Sequence, residues 1–463
     1  MRPSILRAGW LAVYAVGTLA TASTASAVVQ FTVDSILDQV DDDTADGLCH
    51  TAANTCTLRA AVMQADVVSG AGATIVLPAG TYTFTRPSLG ANGPESGDLN
   101  LTAPAVGDPL ISIVGAGRAA TIIDANQLDR VFDVAAGRSA TLSDLTLRNG
   151  YVSAPATFGG GLQSSGTLTL NRCTVSGNQT AGSGRNGGGI YSNGYLYLND
   201  STVSGNTSQR AGAGIYSGFI AVIVRSTVSG NSTINFEGGG IASYGPLSVT
   251  DSTISGNTAN DGGGIFSFDT LTMTNATIVS NGAYNDGGGI AAVNANIYNS
   301  TIAFNGADID ADPNGGSGGG IFDWLGGTLN LRNTLVAGNN LSGAPVYEDC
   351  FGTLHSYGRN LFSDASNCSV ITATGSWALL NSLGSLGSLT RNGGPTATVT
   401  LLSGSNAIDG GDPTFGCVDG NGQLLPTDQR GAARVRGARC DVGAYESGTL
   451  FFDGFEAGDV SAW

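Results

Sequence analysis

Along most of this chain apolar residues recur at every second position in runs of three to five, the spacing of an extended strand and not of a helix. Leu168 and Leu170, Leu196 and Leu198, Leu247 and Val249, Leu271 and Met273, and Leu329 and Leu331 are such pairs. Two further markers repeat with them. A Gly-rich tetrapeptide ends at Ile190, Ile215, Ile241, Ile265, Ile290 and Ile321, in steps of 25, 26, 24, 25 and 31 residues. A Thr-(Val/Ile)-x-x-Asn string ends at Asn178, Asn206, Asn231, Asn257, Asn281 and Asn305, in steps of 28, 25, 26, 24 and 24. Two independent markers with one period signal a solenoid, in which no unit buries its apolar face until its neighbours stack on it.

Each unit offers three short extended pieces, at Gly-Gly-Gly-Ile, at Leu-x-Leu and at Ser-Thr-Val-Ser-Gly-Asn, separated by Gly, Asn, Asp and Ser turn residues. Three strands in about 25 residues make one coil of a parallel β-helix. The expected fold is therefore all-β, a right-handed single-stranded parallel β-helix. Helical spacing occurs in Thr57 to Asp66, where Leu58, Ala61, Val62 and Ala65 share a face. This suits a short N-terminal capping helix over the open edge of the first coil. Gly triplets permit positive φ beside the core, and the repeated Asn is expected to adopt a left-handed conformation and bond to the Asn of the next coil, a structural ladder more than a binding row.

Composition narrows the function. The chain has 463 residues, 71 of them Gly, with 36 acids, 19 Arg, no Lys and two His, for a net charge of −17. Catalysis by a Lys amine and a His cluster for a transition metal are excluded, and nucleic acid is an unfavoured partner. Arg2 and Arg7, the uncharged stretch that follows and Ala25-Ser26-Ala27 read as a secretory signal over residues 1–27, so the exported chain is expected to begin at Val28. No later stretch is suited to span a membrane as a helix. Export permits disulfides, and proximity along the chain pairs Cys49 with Cys56, Cys350 with Cys368 and Cys417 with Cys440. Cys173 stands where later units have Ser201, Ser226 and Ser252, and reads as a small packed residue.

The N-terminal segment resembles the CSLREP domain, through Cys56-Thr57-Leu58-Arg59-Ala60-Ala61, preceded by Phe31-Thr32-Val33 and followed by Leu77-Pro78-Ala79-Gly80-Thr81-Tyr82; Ala60 stands where the family name has Glu. The C-terminal part resembles the choice-of-anchor Q domain, through Asn360-Leu361-Phe362-Ser363, Asn392-Gly393-Gly394-Pro395-Thr396, Ala407-Ile408-Asp409, Thr427-Asp428-Gln429-Arg430-Gly431 and Cys440-Asp441-Val442-Gly443-Ala444-Tyr445-Glu446. The resemblance implies a bacterial exported or surface protein with a right-handed β-helix, and no established reaction. The implied organisation is an N-terminal cap and first coils over 28–140, central repeats over 141–340, C-terminal coils and cap over 341–447, and a tail over 448–463 whose Asp453-Gly454-Phe455-Glu456 is a candidate sorting signal.

β-Helices also host polysaccharide lyases and hydrolases. A polygalacturonase-like site needs a Gly-His-Gly and an Arg-x-Lys beside paired Asp, and neither string occurs here. Arg172, Arg210, Arg225 and Arg332 are spaced singly, with no recurring acidic partner in view, and His50 and His355 read as surface or packed residues. One insertion stands out: between Asn305 and Ile321 lie Asp308, Asp310, Asp312 and Asn314, oxygen ligands at alternate positions before Gly315, as in the first half of a calcium loop. Its twelfth position is Ile321 in place of a bidentate Glu. A second acidic loop holds Asp41, Asp42, Asp43 and Asp46. Tyr191, Tyr216, Tyr244 and Phe266 follow the Gly-rich marker and read equally as exposed rings suited to stacking on sugars or as half-buried corner residues. The expected function is that of a secreted or outer-surface, non-enzymatic protein for adhesion or glycan contact, with no resident cofactor apart from the candidate calcium. The rival is a polysaccharide lyase or glycoside hydrolase on the same scaffold.

Overall fold

A computed structural model describes residues 28–68, 72–88, 93–103, 107, 110–153, 158–182, 184–233, 235–311, 315–341 and 347–448. The leader at 1–27 and the candidate sorting signal lie outside the described residues.

Alternating apolar positions stack because the pairing is parallel and in register from coil to coil. One interior column runs Ala73, Ile111, Ala140, Leu168, Leu196, Ala221, Leu247, Leu271, Ala295, Leu329 and Leu354. A second carries the Gly-rich marker: Leu99, Phe132, Leu162, Ile190, Ile215, Ile241, Ile265, Ile290, Ile321 and Cys350. A third runs from Ile123 through Leu147, Val175, Val203, Val228, Ile254, Ile278 and Ile302 to Val336. All three belong to one buried cluster. The fold is a right-handed parallel β-helix, its three walls made by strands such as Ile190–Ser192, Tyr195–Asn199 and Thr202–Ser204. From Ile265 the first two walls merge into single long strands, Ile265–Thr274, Ile290–Tyr298 and Ile321–Arg332. A fourth piece was not foreseen: two-residue strands from Tyr151–Val152 to Asn340–Leu341 pair in a separate eight-stranded sheet after the Asn marker.

The Asn marker forms the expected ladder, with a different backbone. Asn231 donates from Nδ2 to Asn257 Oδ1 at 2.9 Å and to the Val203 carbonyl at 3.1 Å, while its own Oδ1 accepts from the backbone N–H and Nδ2 of Asn206. Every hydrogen-bonding capacity of the amide is used inside the core, which offsets its desolvation. The ladder residues themselves have ordinary negative φ. The left-handed positions are Gly177, Gly205, Gly230 and Gly256 just before them, because the corner, and not the Asn, makes the turn. In the Gly triplets too the first residue alone turns, as at Gly187 with φ of 71°. The next two are Gly for space: a Cβ on Gly188 would stand 2.3 Å from the Thr207 carbonyl oxygen of the next coil. The ladder ends at Asp349, whose Oδ1 accepts from Asn339 Nδ2 at 2.9 Å and whose Oδ2 accepts from Ser363 and Asp364.

Cys173 sits in a parallel column of hydroxyls, its N–H donating to Ser201 Oγ, as Ser201 N–H does to Ser226. It is free and buried, and desolvation pushes its thiol up to about 12, which suits packing and not reactivity. The three disulfides are those anticipated, Cys49–Cys56, Cys350–Cys368 and Cys417–Cys440. The capping helix α1 (Leu58–Val67) is capped by Thr57 Oγ1, which accepts from the Ala60 N–H. The CSLREP-like Arg59 is buried in this cap, donating to Asp38 at 2.5 Å and to the carbonyls of Pro94 and Gly97. Among the described residues no helix is long and apolar enough to cross a membrane.

After the strand Cys368–Leu379 the chain leaves the stack and folds back along the third wall as a strap. The choice-of-anchor-like motif Asp428-Gln429-Arg430 is its clasp. Gln429 reaches between Thr253, Thr277 and Thr396, and Arg430 pairs with Asp428 at 2.6 Å beneath the Tyr445 ring. Arg434 is fully buried between strap and coils, donating to Asn275 Oδ1 at 2.7 Å and to the Gly443 carbonyl at 2.9 Å, with Glu446 at 3.6 Å. The coils change composition to receive it. The outward Ser176, Ser204, Ser229 and Ser255 give way to Val279, Ala303 and Ala337, and the left-handed corner changes from Asp144, Arg172, Asp200, Arg225 and Asp251 to Asn275, Asn299 and Asn333. These Asn side chains donate to the strap carbonyls of Thr427, Val418 and Gly416.

Replacing Asn231 by Ala should cost about 2–4 kcal/mol in urea denaturation, since it strands the Asn206 donors and removes a donor from Asn257. Arg434→Met, which leaves Glu446 and the Asn275 carbonyl without their buried cation, should cost about 3–5 kcal/mol and make the strap the first site of limited proteolysis.

Candidate functional site

Parallel stacking turns an outward position into a straight row, so residues some 25–33 apart in sequence become neighbours about 4.8 Å apart. The outward row of the first wall reads Asn100, Asp133, Gln163, Tyr191, Tyr216, Ala242, Phe266, Ala291, Phe322 and Phe351. It is polar for three coils and then aromatic. Where Ala occupies the row, rings from the adjoining corner fill in: Tyr244, Phe268 and Trp324.

The rings touch without a break. Centroid distances are 4.5 Å for Phe158–Tyr191, 5.0 Å for Tyr191–Tyr216, 5.4 Å for Tyr216–Tyr244 and 6.1 Å for Tyr244–Phe266. Beyond Phe266 the chain continues to Trp324 at 5.2 Å, then to Phe322 at 5.9 Å and Phe351 at 5.5 Å. Seven strand spacings give an aromatic strip about 34 Å long. The four rings anticipated from the sequence all belong to it, some buried and some exposed. Tyr191 and Phe266 keep 8% and 4% of their surface, because stacked neighbours cover both faces, whereas Tyr244 keeps 37% and Phe268 49%. Tyr195 and Phe219, edge to face at 5.0 Å, widen the strip on its second-wall side and floor a cleft of about 320 Å³ with Arg138, Ser165, Gly166 and Asn193.

At the polar end of the row lies a cleft of about 550 Å³, lined by Asn100, Thr102, Arg130, Asp133, Gln163 and Ser165 among others. Its centre is Arg130. The guanidinium lies 2.6 Å from Asp98 and within 4 Å of Asp129 and Asp133, and donates to Gln163 Oε1 at 2.8 Å and to the Phe158 carbonyl at 3.0 Å. Gln163 in turn donates to Asp133 at 3.1 Å, and Asn100 to Asp98 at 3.0 Å. Burial pushes Asp98 up to about 7 against the pull of Arg130, and raises Asp133 for the same reason. Three carboxylates lie about the Arg130 guanidinium, so its charge is already matched within the fold against an incoming anion.

This cluster corrects the expectation that Arg stands apart from acids. Arg172 and Arg225 also have partners one coil back, Asp144 at 2.6 Å and Asp200 at 2.7 Å. They form a solvent-exposed ladder of alternating charge on the corner column, with each carboxyl lowered chiefly by its Arg hydrogen bond. Arg130, Asp98, Asp133, Gln163 and Asn100 escaped the sequence reading because the first coils are longer and irregular; the one available signal was their alignment with Tyr191 and Tyr216, visible when pairing register is known.

Of the candidate calcium ligands, Asp308 and Asp310 are described, and Asp312 and Asn314 lie outside the described residues. Asp308 sits at a left-handed turn with φ of 52°, its N–H donating to the Asn285 carbonyl. In the other acidic loop the His50 ring is gripped by Asp42 through Nδ1 and by Asp46 through Nε2 at 2.7 Å, which raises the imidazole's pKa, the Asp46 bond first. His355 is half-buried on the outward side of its strand. Among the described residues no group of three or more His, Cys, Asp or Glu side chains is arranged to hold a metal ion.

No family model matches the chain, and no curated protein matches it. A similar solved structure is that of pectate lyase Pel9A, with 15% sequence identity and a TM-score of 0.44, covering 91% of this chain and 98% of that one.

Asp98 supplies a test of the polar cleft. A carboxyl raised in the folded state contributes stability that is complete below about pH 4 and is lost as pH climbs through about 7. Urea titrations at pH 4.5, 6 and 8 should show that decline in the native chain and a flatter profile in Asp98→Asn.

Proposed function

We propose that this chain is an exported surface protein that binds a glycan along the aromatic strip without cleaving it. The single observation carrying this reading is the unbroken run of rings from Phe158 to Phe351, ending in a polar cleft. The C–H face of a pyranose packs on the apolar surface offered by the exposed Tyr244 and Phe268 rings and the outer edges of the stacked rings, and its rim presents hydroxyls that need donors and acceptors. A linear strip with a hydroxyl-binding end therefore suits several consecutive sugar units. Rigid mounting on paired strands keeps the ordering cost of binding low.

Charge favours an uncharged glycan over a polyuronate. The chain carries −17, and the cation in the cleft is surrounded by Asp98, Asp129 and Asp133. Cleavage by β-elimination needs a base; the chain has no Lys, and the Arg130 guanidinium is already engaged by Asp98, Gln163 and the Phe158 carbonyl. The three disulfides and the signal-like leader support an oxidising, extracellular address. The resemblance to CSLREP and choice-of-anchor Q proteins points the same way, as a surface protein held at the cell by its C-terminal tail.

The test is calorimetry on neutral and uronate oligosaccharides of six to eight units, chosen from a glycan array. Tyr216→Ala or Trp324→Ala should weaken binding of the neutral ligand about tenfold, a loss of about 1.4 kcal/mol. Neither new reducing ends nor unsaturated products should appear, with or without chelator. Turnover abolished by Asp133→Asn would instead establish the enzyme.

A further inference from the structure

The two ends of the solenoid are finished differently. At the N-terminal end the edge strand Val29–Thr32 is four residues long and α1 lies over the first coils, with Leu58, Ala61, Val62 and Ala65 in the core. At the other end the last rung is Cys368–Leu379, twelve residues, paired in parallel with Cys350–Phe362 on one side and, among the described residues, with nothing on the other. Nine of its twelve residues are exposed. The strap touches only its last residues, where Ala378 packs on the strap and the Leu379 carbonyl accepts from Asn406, and then departs sideways to the third wall.

The exposed end is also apolar and uncharged. Ile371, Trp377 and Leu379 keep 47%, 38% and 57% of their surface, and Trp377 meets the core residue Phe362 edge to face at 6.1 Å. From Ala365 to Thr390 the chain has no charged residue and no Pro. Natural edge strands are protected against pairing by charges, Pro, bulges or covers, and this one carries none of the first two.

We propose that this edge is a self-association surface, on which a second copy docks end to end about a two-fold axis, the two Cys368–Leu379 strands pairing antiparallel. Three features select a second copy. An identical strand is its own complement in backbone hydrogen bonding when turned about such an axis. Two molecules of charge −17 repel wherever their acids face each other, and the neutral end lets them meet with least repulsion. Head-to-tail stacking is disfavoured because α1 packs against Ala73–Leu77 and Leu99–Leu101 at the opposite end, where the edge strand Val29–Thr32 is four residues against twelve, so the assembly closes at two and does not grow into a filament. The dimer would carry two aromatic strips on one long rod, doubling the valency for a polymeric ligand.

Sedimentation equilibrium of the full exported chain tests this. It should give a dimer mass at roughly 100 µM, with dissociation on dilution. The paired substitution Thr372→Lys and Ser376→Lys, which puts like charges across the two-fold pair, should raise the dimer dissociation constant at least about tenfold, while Gln179→Lys with Thr207→Lys, an equal charge change on the far sheet, should leave it unchanged. Concentration-dependent slowing of amide exchange confined to 368–379 in the unsubstituted chain would support the same surface with no reliance on a variant. A monomer at all concentrations, a dimer indifferent to the edge lysines, or open-ended assemblies would each overturn the proposal. So would a chain that dimerises only after removal of 449–463, which would make its own tail the occupant of the edge.

Discussion

Register is the constraint on which everything else in this molecule depends. Once Ile190 pairs with Ile215 and Leu196 with Ala221, the two-residue periodicity of a strand decides which side chains enter the interior and which form rows outside. A slip of one residue would exchange the two sets. The Asn ladder makes such a slip costly, because each amide is satisfied by the one above and the one below, and a displaced coil would leave four buried hydrogen-bonding groups unmet. Apolar burial supplies the drive to stack, and the ladder supplies the alignment.

The outer rows inherit that precision. Phe158, Tyr191, Tyr216 and Tyr244 need no dedicated scaffold to be held at ring-stacking distance, since the strand spacing already places them there. The same geometry carries the row into Gln163, Asp133 and Asn100 and so joins a hydrophobic strip to a polar cleft. An apolar strip and a polar cleft are thus continuous on one wall. Substitutions along this row change the surface without disturbing the interior, which is how one scaffold serves many ligands.

The strap shows how a solenoid acquires long-range contacts. Neighbouring coils touch only each other, yet Arg434, Gln429 and the corner residues Asn275 and Asn299 tie the C-terminal segment to coils more than a hundred residues earlier. The Asp428-Gln429-Arg430 motif is consumed internally: every charged atom of the clasp faces a partner within the fold.

By itself the sequence determined the class of fold, the coil length, the capping helix, the Asn ladder and the three disulfides, since each rests on spacing or proximity along the chain. Even the strap left a trace, in the change from Ser255 to Val279 and from Asp251 to Asn275, though its meaning depends on knowing what lies against those positions. The tertiary structure alone decided the lateral neighbours of outward side chains. Register steps between paired rungs vary from 16 to 44 residues, so Asp133 and Gln163, or Asp144 and Arg172, become adjacent through pairing that no fixed period reveals. A side chain's interior or exterior fate is a property of its own strand, whereas its partners belong to the coils on either side, and only the stacked chain brings those together.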